Sequence, residues 1–284
     1  MRKIIPFILL VLLFSGCSVG EDKSGEKTIY VTITPLRAIV DEITCGDFDV
    51  KVVVPDGQSP ETYDPTIREL TNLNKSRLVF SIGLINFERS IVEHIDDSSK
   101  VVELYPGIEL IEGSCSHGHH HHSHGVDPHI WTSPKALYKM VERIRDAVVA
   151  EFPDKVEYAE AADRVLKRIE ALDSYCYESI KGSSVQAMMI YHPAYTYYAQ
   201  EYGIEQIAIE HDGKEPSPRQ LVSLVNRAKD LDIDVILYQP QYSVDKVSPI
   251  AVELGISTVE TNPLAEDIMA EIRRVTELIC GKNE

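Results

Sequence analysis

One long amphipathic segment divides this chain into two halves, and it constrains the fold more than any other feature. Between Pro153 and about Lys181, apolar residues recur with the 3.6-residue period of a helix. At about 1.5 Å per residue, such a helix is roughly 40 Å long, enough to span two lobes. Gly182-Ser183-Ser184 ends the pattern. We therefore predict a linking helix at 153–181 with a folded lobe on each side.

Short β-rich runs alternate with helical runs in both halves. In the first half we predict strands at 27–33, 49–54, 78–82 and 101–104, and helices at 36–43, 65–74, 87–95 and 133–150. In the second half we predict strands at 186–191, 206–209, 235–238 and 258–260, and helices at 194–202, 219–231, 246–254 and 267–279. Such alternation is typical of parallel sheets. The predicted fold is α/β, with two lobes at 28–152 and 182–284, each a mostly parallel sheet flanked by helices.

The amino terminus has the layout of a secretory signal. Arg2 and Lys3 precede an apolar run that ends at Cys17 and is too short to span a bilayer as a mature helix. The small residues before Cys17 and the polar stretch after it resemble a lipoprotein signal, which implies cleavage before Cys17 and lipidation of its thiol. Simple secretion with an unmodified Cys17 is the alternative. We predict a signal peptide at 1–17, a tether at 18–27 and an extracytoplasmic, membrane-anchored protein.

The charge balance excludes one class of partner. The formal net charge is −17, and it becomes −19 once Arg2 and Lys3 leave with the signal peptide. Nucleic-acid binding needs basic stripes along the phosphate backbone, so we predict no nucleic-acid partner. An acidic surface instead suits a cationic ligand. The remaining cysteines form no C-x-x-C pair, so a thiolate zinc finger is not indicated, and their spacing fixes no disulfide; they are Cys45, Cys115, Cys176 and Cys280.

A histidine-rich tract lies in the middle of the chain. Six histidines fall within eight positions, at His117, His119, His120, His121, His122 and His124. Neutral imidazole is a favoured ligand of zinc, copper and nickel, so a dense tract with Gly and Ser indicates metal capture. An expression tag is the alternative, but tags stand at termini as unbroken repeats. We predict an accessory metal-capturing loop at 116–125.

Four segments place polar residues beside prolines, and most of them directly follow predicted strands. They are 57–65, which contains Glu61; 127–131, which contains His129; 191–195, which contains His192; and 260–264, which contains Asn262. Ligands of open α/β sheets collect beyond the carboxyl ends of the strands, and a neighbouring proline limits backbone adjustment. These segments are therefore the predicted binding site.

The same segments resemble the metal-binding proteins of zinc and manganese ABC importers, the ZnuA/TroA-like family, over nearly the whole mature chain. The resemblance is carried by D-P-H-I-W at 127–131, H-P-A-Y-T-Y-Y-A at 192–199 and G-K-E-P-S-P-R-Q-L at 213–221. It implies that His129 and His192 bind metal between the lobes and that the long helix limits hinge motion. Packed core histidines are the alternative reading of both residues.

Two positions depart from the family pattern. Glu61 stands where a G-x-x-P-H-x-Y-E-P motif has histidine, and Asn262 stands where a D-P-L motif has an acid. A carboxylate ligates zinc well, whereas a neutral amide oxygen is a weak zinc ligand, so Asn262 or water completes the predicted set. The alternatives are a helix-capping role for Glu61 and a turn role for Asn262. His211 is a further candidate ligand, with a solvated loop residue as its alternative.

The resemblance implies binding rather than catalysis. The predicted function is a monomeric zinc receptor that delivers its ion to a membrane permease and ATPase, with manganese or iron as the alternative cargo. A surface adhesin or zinc-buffering lipoprotein is a second alternative. A zinc hydrolase is a third, because three ligands and an open position also hold catalytic zinc. The sequence contains neither an H-E-x-x-H nor a G-x-S-x-G motif, and we predict that the protein is not an enzyme.

Overall fold

The computed structural model describes residues 27–112, 125–211 and 213–281. It contains two four-stranded sheets. The first comprises β1 (Thr28–Val31), β2 (Asp49–Val52), β3 (Leu78–Ser81) and β4 (Val101–Glu103), and the second comprises β5 (Ala187–Ile190), β6 (Glu205–Ala208), β7 (Val235–Tyr238) and β8 (Ser257–Glu260). The strand orders are β2-β1-β3-β4 and β6-β5-β7-β8, and every neighbouring pair is parallel. The predicted α/β class is therefore confirmed.

Helices flank both sheets. They are α1 (Pro35–Ile43), α2 (Ile67–Lys75), α3 (Asn86–His94), α4 (Pro134–Glu151), α5 (Val156–Lys181), α6 (Thr196–Tyr202), α7 (Pro218–Asp230), α8 (Ser248–Leu254) and α9 (Ile268–Ile279). Their starts follow local chemistry: Ser133 accepts a hydrogen bond from the Ala136 N–H ahead of Pro134 at the start of α4. A capping box of Thr66 and Glu69 starts α2, so this helix begins after the predicted position 65 and its cap does not use Glu61.

The order of the strands fixes where a ligand can lie. In each sheet the chain first builds outward on one side of the starting strand and then crosses to the other side. The carboxyl ends of β5 and β7 therefore flank a topological switch point, the usual position of a ligand crevice in open α/β sheets. The segments that follow β5 and β7 begin at Tyr191 and Gln239.

The long helix α5 contacts helices from both halves of the chain. Its 26 residues give a length of about 39 Å at 1.5 Å per residue. It packs along α4 and also contacts α1, α6 and α9. Near its start Tyr158 donates a hydrogen bond to Asp47 at 2.7 Å, and near its end Tyr175 donates one to Glu277 at 2.8 Å. One hydrophobic core consequently extends from the first sheet through α5 into the second half.

Several predictions fall outside the residues that the structure describes. These are the signal peptide at 1–17, the lipidated Cys17, nearly all of the tether at 18–27, the thiol Cys115 and all six histidines of the tract. Among the described cysteines, Cys45, Cys176 and Cys280 are free thiols. No described helix is both long enough and apolar enough to cross a membrane.

Candidate metal centre

Three predicted ligands lie together where the two halves of the chain meet. Glu61 belongs to a 3₁₀ turn (Pro60–Thr62) after β2, His129 precedes a second such turn (Ile130–Thr132), and His192 follows β5. One ligand atom from each side chain lies within 4.8 Å of the other two. The Glu61 Oε1 atom is 3.7 Å from His129 Nε2 and 3.5 Å from His192 Nε2.

These separations suit a single zinc ion. Zinc binds imidazole nitrogen and carboxylate oxygen at about 2.0–2.2 Å, so tetrahedral geometry places neighbouring ligand atoms roughly 3.3 Å apart. The distances of 3.5 and 3.7 Å from Glu61 are a few tenths of an ångström longer. The two imidazole rings stand edge to face, with centroids 5.2 Å apart and an interplanar angle of 69°. Small side-chain adjustments would therefore bring all three atoms onto one ion.

A buried carboxylate orients His129. The Oδ1 atom of Asp127 lies 2.8 Å from His129 Nδ1 and also accepts the His129 backbone N–H at 2.9 Å. A carboxylate accepts hydrogen bonds, so Nδ1 carries the proton and Nε2 presents its lone pair toward Glu61. Burial raises the pKa of Asp127, but its interactions with His129 outweigh burial and lower that pKa overall. Asp127 thus stays ionised and holds the ring in its ligand tautomer.

His192 is held in the same way and by more groups. Its Nδ1 atom lies 2.7 Å from the Glu210 Oε2 atom. The Gln239 side-chain amide binds both backbone groups of His192: its oxygen accepts the N–H at 3.3 Å, and its nitrogen donates to the carbonyl at 2.7 Å. The Tyr242 ring stacks on the imidazole, with centroids 5.7 Å apart. Burial lowers the pKa of His192, but hydrogen bonds to Glu210 and Glu61 outweigh that effect and raise the pKa to about 9.

The centre concentrates negative charge away from water. The side chains of Glu61, Asp127 and Glu210 are only 10%, 3% and 4% exposed. Buried carboxylates are stable only when they are paired, hydrogen-bonded or bound to a cation. With both imidazoles neutral, the three carboxylates leave a strongly anionic pocket. A divalent cation would offset most of this charge, and the raised pKa of His192 shows that a proton is also attracted.

The cavity at the centre is small. Its free volume is about 30 Å³, room for one or two atoms the size of a water molecule. It is lined by Ser59, Pro60, Glu61, Ile85, Pro128, His129, Trp131, His192, Ala194, Gln239, Gln241, Tyr242, Pro263 and Leu264. This volume accommodates a single ion beside the three candidate ligands.

The structure does not bring Asn262 or His211 into this cavity. The Asn262 Oδ1 atom accepts a hydrogen bond from the Leu264 N–H at 3.0 Å, and Asn262 lines a neighbouring cavity instead. This local bond is the turn interaction that asparagine favours before proline. His211 is exposed, and its backbone pairs with that of Lys214. The candidate fourth ligand from the family pattern is thus absent from the lining of the cavity that Glu61, His129 and His192 share.

Sequence reasoning missed the supporting residues. The sequence patterns single out none of Asp127, Glu210 and Gln239. A signal existed for each of them. Asp127 lies two positions before His129, while Glu210 and Gln239 follow β6 and β7 at the sheet edge where His192 also lies. Buried polar residues at that edge are the natural partners of ligand histidines.

A family model matches most of the chain. The model is described as "ZnuA: Zinc-uptake complex component A periplasmic", and it matches residues 29–273. The matched range includes Glu61, His129, His192 and Asn262 as well as both sheets.

Curated relatives of this chain are named for zinc or manganese. The zinc-binding lipoprotein AdcA of Streptococcus pneumoniae serotype 4 is 28% identical over 279 residues, covering 93% of this chain and 56% of AdcA. The high-affinity zinc uptake system protein ZnuA of Bacillus subtilis is 28% identical over 272 residues, covering 91% of this chain and 85% of that protein. The manganese-binding lipoprotein MntA of Halalkalibacterium halodurans is 25% identical, covering 90% of this chain. The chain spans only about half the length of AdcA.

Solved structures share the whole architecture. A crystal structure of ZnuA superposes with a TM-score of 0.81 at 26% identity, covering 90% of this chain and 98% of that chain. A zinc-bound ZnuA deletion mutant superposes with a TM-score of 0.80 at 27% identity, covering 91% of this chain and 98% of that chain. Both matches extend over the two sheets and the helix between them.

Proposed function

Since this chain belongs to the ZnuA family of zinc-uptake components, we propose that it is the metal-binding receptor of an ABC importer. It captures zinc between its two lobes, with Glu61, His129 and His192 as ligands, and delivers the ion to a membrane permease. The observation that carries this proposal is the convergence of one carboxylate and two imidazoles, each imidazole oriented by its own buried carboxylate.

Zinc fits this centre better than manganese. Two imidazoles and one carboxylate form a nitrogen-rich set of borderline softness, whereas manganese favours more oxygen ligands. Manganese is the alternative cargo, because one relative is named for manganese. Its sequence identity to this chain, however, does not exceed that of the relatives named for zinc. Zinc is accordingly the cargo we propose.

The cellular setting of the receptor is part of the proposal. The protein is extracytoplasmic and held at the membrane by a lipid on Cys17, and it works as a monomer with permease and ATPase subunits. Its lobes are 28–152 and 182–284, joined by the helix at 153–181. The histidine tract acts as an accessory loop that raises the local zinc concentration. The names of AdcA and MntA as lipoproteins support the anchor.

Two alternative functions, a zinc hydrolase and a zinc buffer or adhesin, make different demands on the site than transport does. A hydrolase needs room for a substrate in contact with the metal, and the cavity at the three proposed ligands has a free volume of only about 30 Å³. A zinc buffer or adhesin needs no delivery partner. Co-purification with a permease would favour transport, whereas bulk zinc sequestration or binding to host matrix without a permease would favour the rival.

A zinc titration tests the proposal. The mature protein without residues 116–125 is expected to bind one zinc ion tightly, and a His129→Ala, His192→Ala double variant is expected to lose that binding. His94→Ala, which changes an exposed histidine on α3, is the matched control and should bind as the parent does. If the truncated protein has no tight site, or if the double variant keeps it, the ligand assignment is wrong.

A further inference from the structure

Glu61, His129 and His192 supply three ligands of the proposed zinc site and leave a fourth coordination position open. Zinc in proteins is usually four-coordinate, so one position remains beside Glu61, His129 and His192. The family pattern gives this position to the residue at 262. Here the Asn262 side chain is instead held by a hydrogen bond within its own turn.

Three hydrogen bonds hold the 262–264 segment in its place. The Asn262 backbone N–H donates to Glu271 at 2.7 Å, and the Leu264 N–H donates to the Asn262 Oδ1 atom at 3.0 Å. The indole N–H of the buried Trp131 donates to the Pro263 carbonyl at 2.7 Å. Turning the Asn262 amide toward the ion would break the turn bond and leave the Leu264 N–H without its acceptor.

Other polar side chains line the ion cavity. Among the residues described there, and apart from the three ligands, they are Ser59, Gln239, Gln241 and Tyr242. Side-chain amide oxygens bind cations, whereas neutral hydroxyls are not among the usual zinc ligands. Of the two amides, Gln239 uses its oxygen and its nitrogen on the His192 backbone. Gln241 is the remaining amide.

Gln241 also occupies a distinctive position in the cleft. It lines both the ion cavity and the neighbouring outer cavity of about 240 Å³, which Asn262 and the Arg37–Glu266 ion pair also line. Of the residues that line both cavities, Pro60, Gln241 and Leu264, only Gln241 has a polar side chain.

Resting on the proposed zinc function, we propose that Gln241, not Asn262, supplies the fourth position through its amide oxygen and sets the preference for zinc over manganese. The neutral amide leaves Glu61 as the one carboxylate among the ligands, whereas a second carboxylate at this position would make the set more favourable for manganese. Gln241 is thus the specificity-determining residue of this site.

A matched pair of amide-to-acid substitutions tests the proposal. Gln241→Glu and Asn262→Asp each add one carboxylate, and only the former adds it to the fourth position. Gln241→Glu is expected to raise manganese affinity relative to zinc by about tenfold or more. Asn262→Asp is expected to leave that ratio unchanged. Gln241→Ala is expected to weaken zinc binding by about threefold to tenfold, through loss of one contact.

The measurement is competitive titration of zinc against manganese, followed by the fluorescence of Trp131, the single tryptophan of the chain, which lies 5.2 Å from His129. Visible absorption of the cobalt-substituted proteins is the second readout, and it is expected to change in both Gln241 variants and not in Asn262→Asp. Selectivity that moves with Asn262→Asp, with both variants or with neither overturns the Gln241 assignment while wild-type zinc binding stands. Failure of the wild-type protein to bind zinc instead overturns the proposed function.

Discussion

At the scale of single residues, the proposed metal centre depends on two carboxylates that are not among its proposed ligands. Asp127 and Glu210 each bind the Nδ1 atom of one histidine, at 2.8 and 2.7 Å. These contacts hold both rings with their Nε2 atoms toward Glu61. Such partners typically change metal affinity by about ten- to a hundredfold when they are mutated.

Glu210→Gln should weaken zinc binding by about tenfold to a hundredfold. The amide keeps the size of the side chain but removes the charge that holds the His192 ring. Glu215→Gln, which removes an exposed carboxylate paired with Lys246, is the matched control and should leave affinity unchanged. Calorimetric titration of both variants gives the comparison, and equal affinities for Glu210→Gln and the parent would contradict the orienting role.

Zinc binding should release a proton near neutral pH. Hydrogen bonds to Glu210 and Glu61 outweigh burial and hold the pKa of His192 at about 9, so the metal-free ring is protonated at pH 7 and must lose its proton to bind zinc. Below that pKa, affinity rises as pH rises, by about tenfold per unit for one displaced proton. Calorimetry in buffers of different ionisation enthalpy measures the proton count, and a count of zero at pH 7 would rule out this linkage.

At the scale of secondary-structure elements, the sequence predicted every helix and strand, and the errors lie at their ends. The first strand ends at Val31 rather than at 33, although the buried Thr32 and Ile33 continue its apolar run. Apolar periodicity measures burial, and burial continues into the turns. Helix α2 begins later than predicted for a different reason: Thr66 and Glu69 form a capping box that fixes its start. Periodicity alone does not show which hydroxyl acts as the cap.

The candidate centre was less predictable than the elements. Glu61, His129 and His192 could be selected because strand ends and prolines marked their segments. The position of the Asn262 side chain could not be predicted, because it is set by a hydrogen bond with the N–H of Leu264, two residues further along the chain. Gln239 and Gln241 stood in a segment without any recognised motif. Side-chain direction within a loop depends on contacts that a sequence pattern does not record.

The long helix α5 should be a shared source of stability for both lobes. Ile169 lies near its middle and is 1% exposed within the core that joins the two halves. Ile169→Ala should lower the free energy of unfolding by about 2–5 kcal/mol. Val156→Ala, at the exposed start of the same helix, should change it by less than about 0.5 kcal/mol. Urea unfolding followed by circular dichroism measures both, and similar losses for the two variants would refute the shared-core role.

At the scale of the whole molecule, an ion pair beside the cleft joins the two halves of the chain. Arg37 of α1 binds Glu266, which precedes α9, through two nitrogen–oxygen contacts of 3.0 and 2.6 Å. Both residues line the outer cavity, which adjoins the cavity of the candidate metal centre. This pair links the two halves on the path that zinc would take out of the cleft.

Glu266→Gln should therefore speed zinc release by about twofold to fivefold, the small effect expected of an exposed ion pair. Zinc association should change less than release. Glu253→Gln, which alters an exposed acid near Lys229 within the second half, is the control. Stopped-flow release into a chelator provides the rate, and an unchanged rate for Glu266→Gln would show that the pair does not limit opening.

The most direct test of the account is X-ray absorption at the zinc edge. The sample is the mature protein without residues 116–125, loaded with one zinc ion. We predict a four-coordinate shell of two imidazole nitrogens and two oxygens at about 2.0–2.1 Å, with no sulfur. A shell containing a cysteine sulfur, or three or more imidazoles, would contradict the assignment of Glu61, His129 and His192 as the zinc ligands.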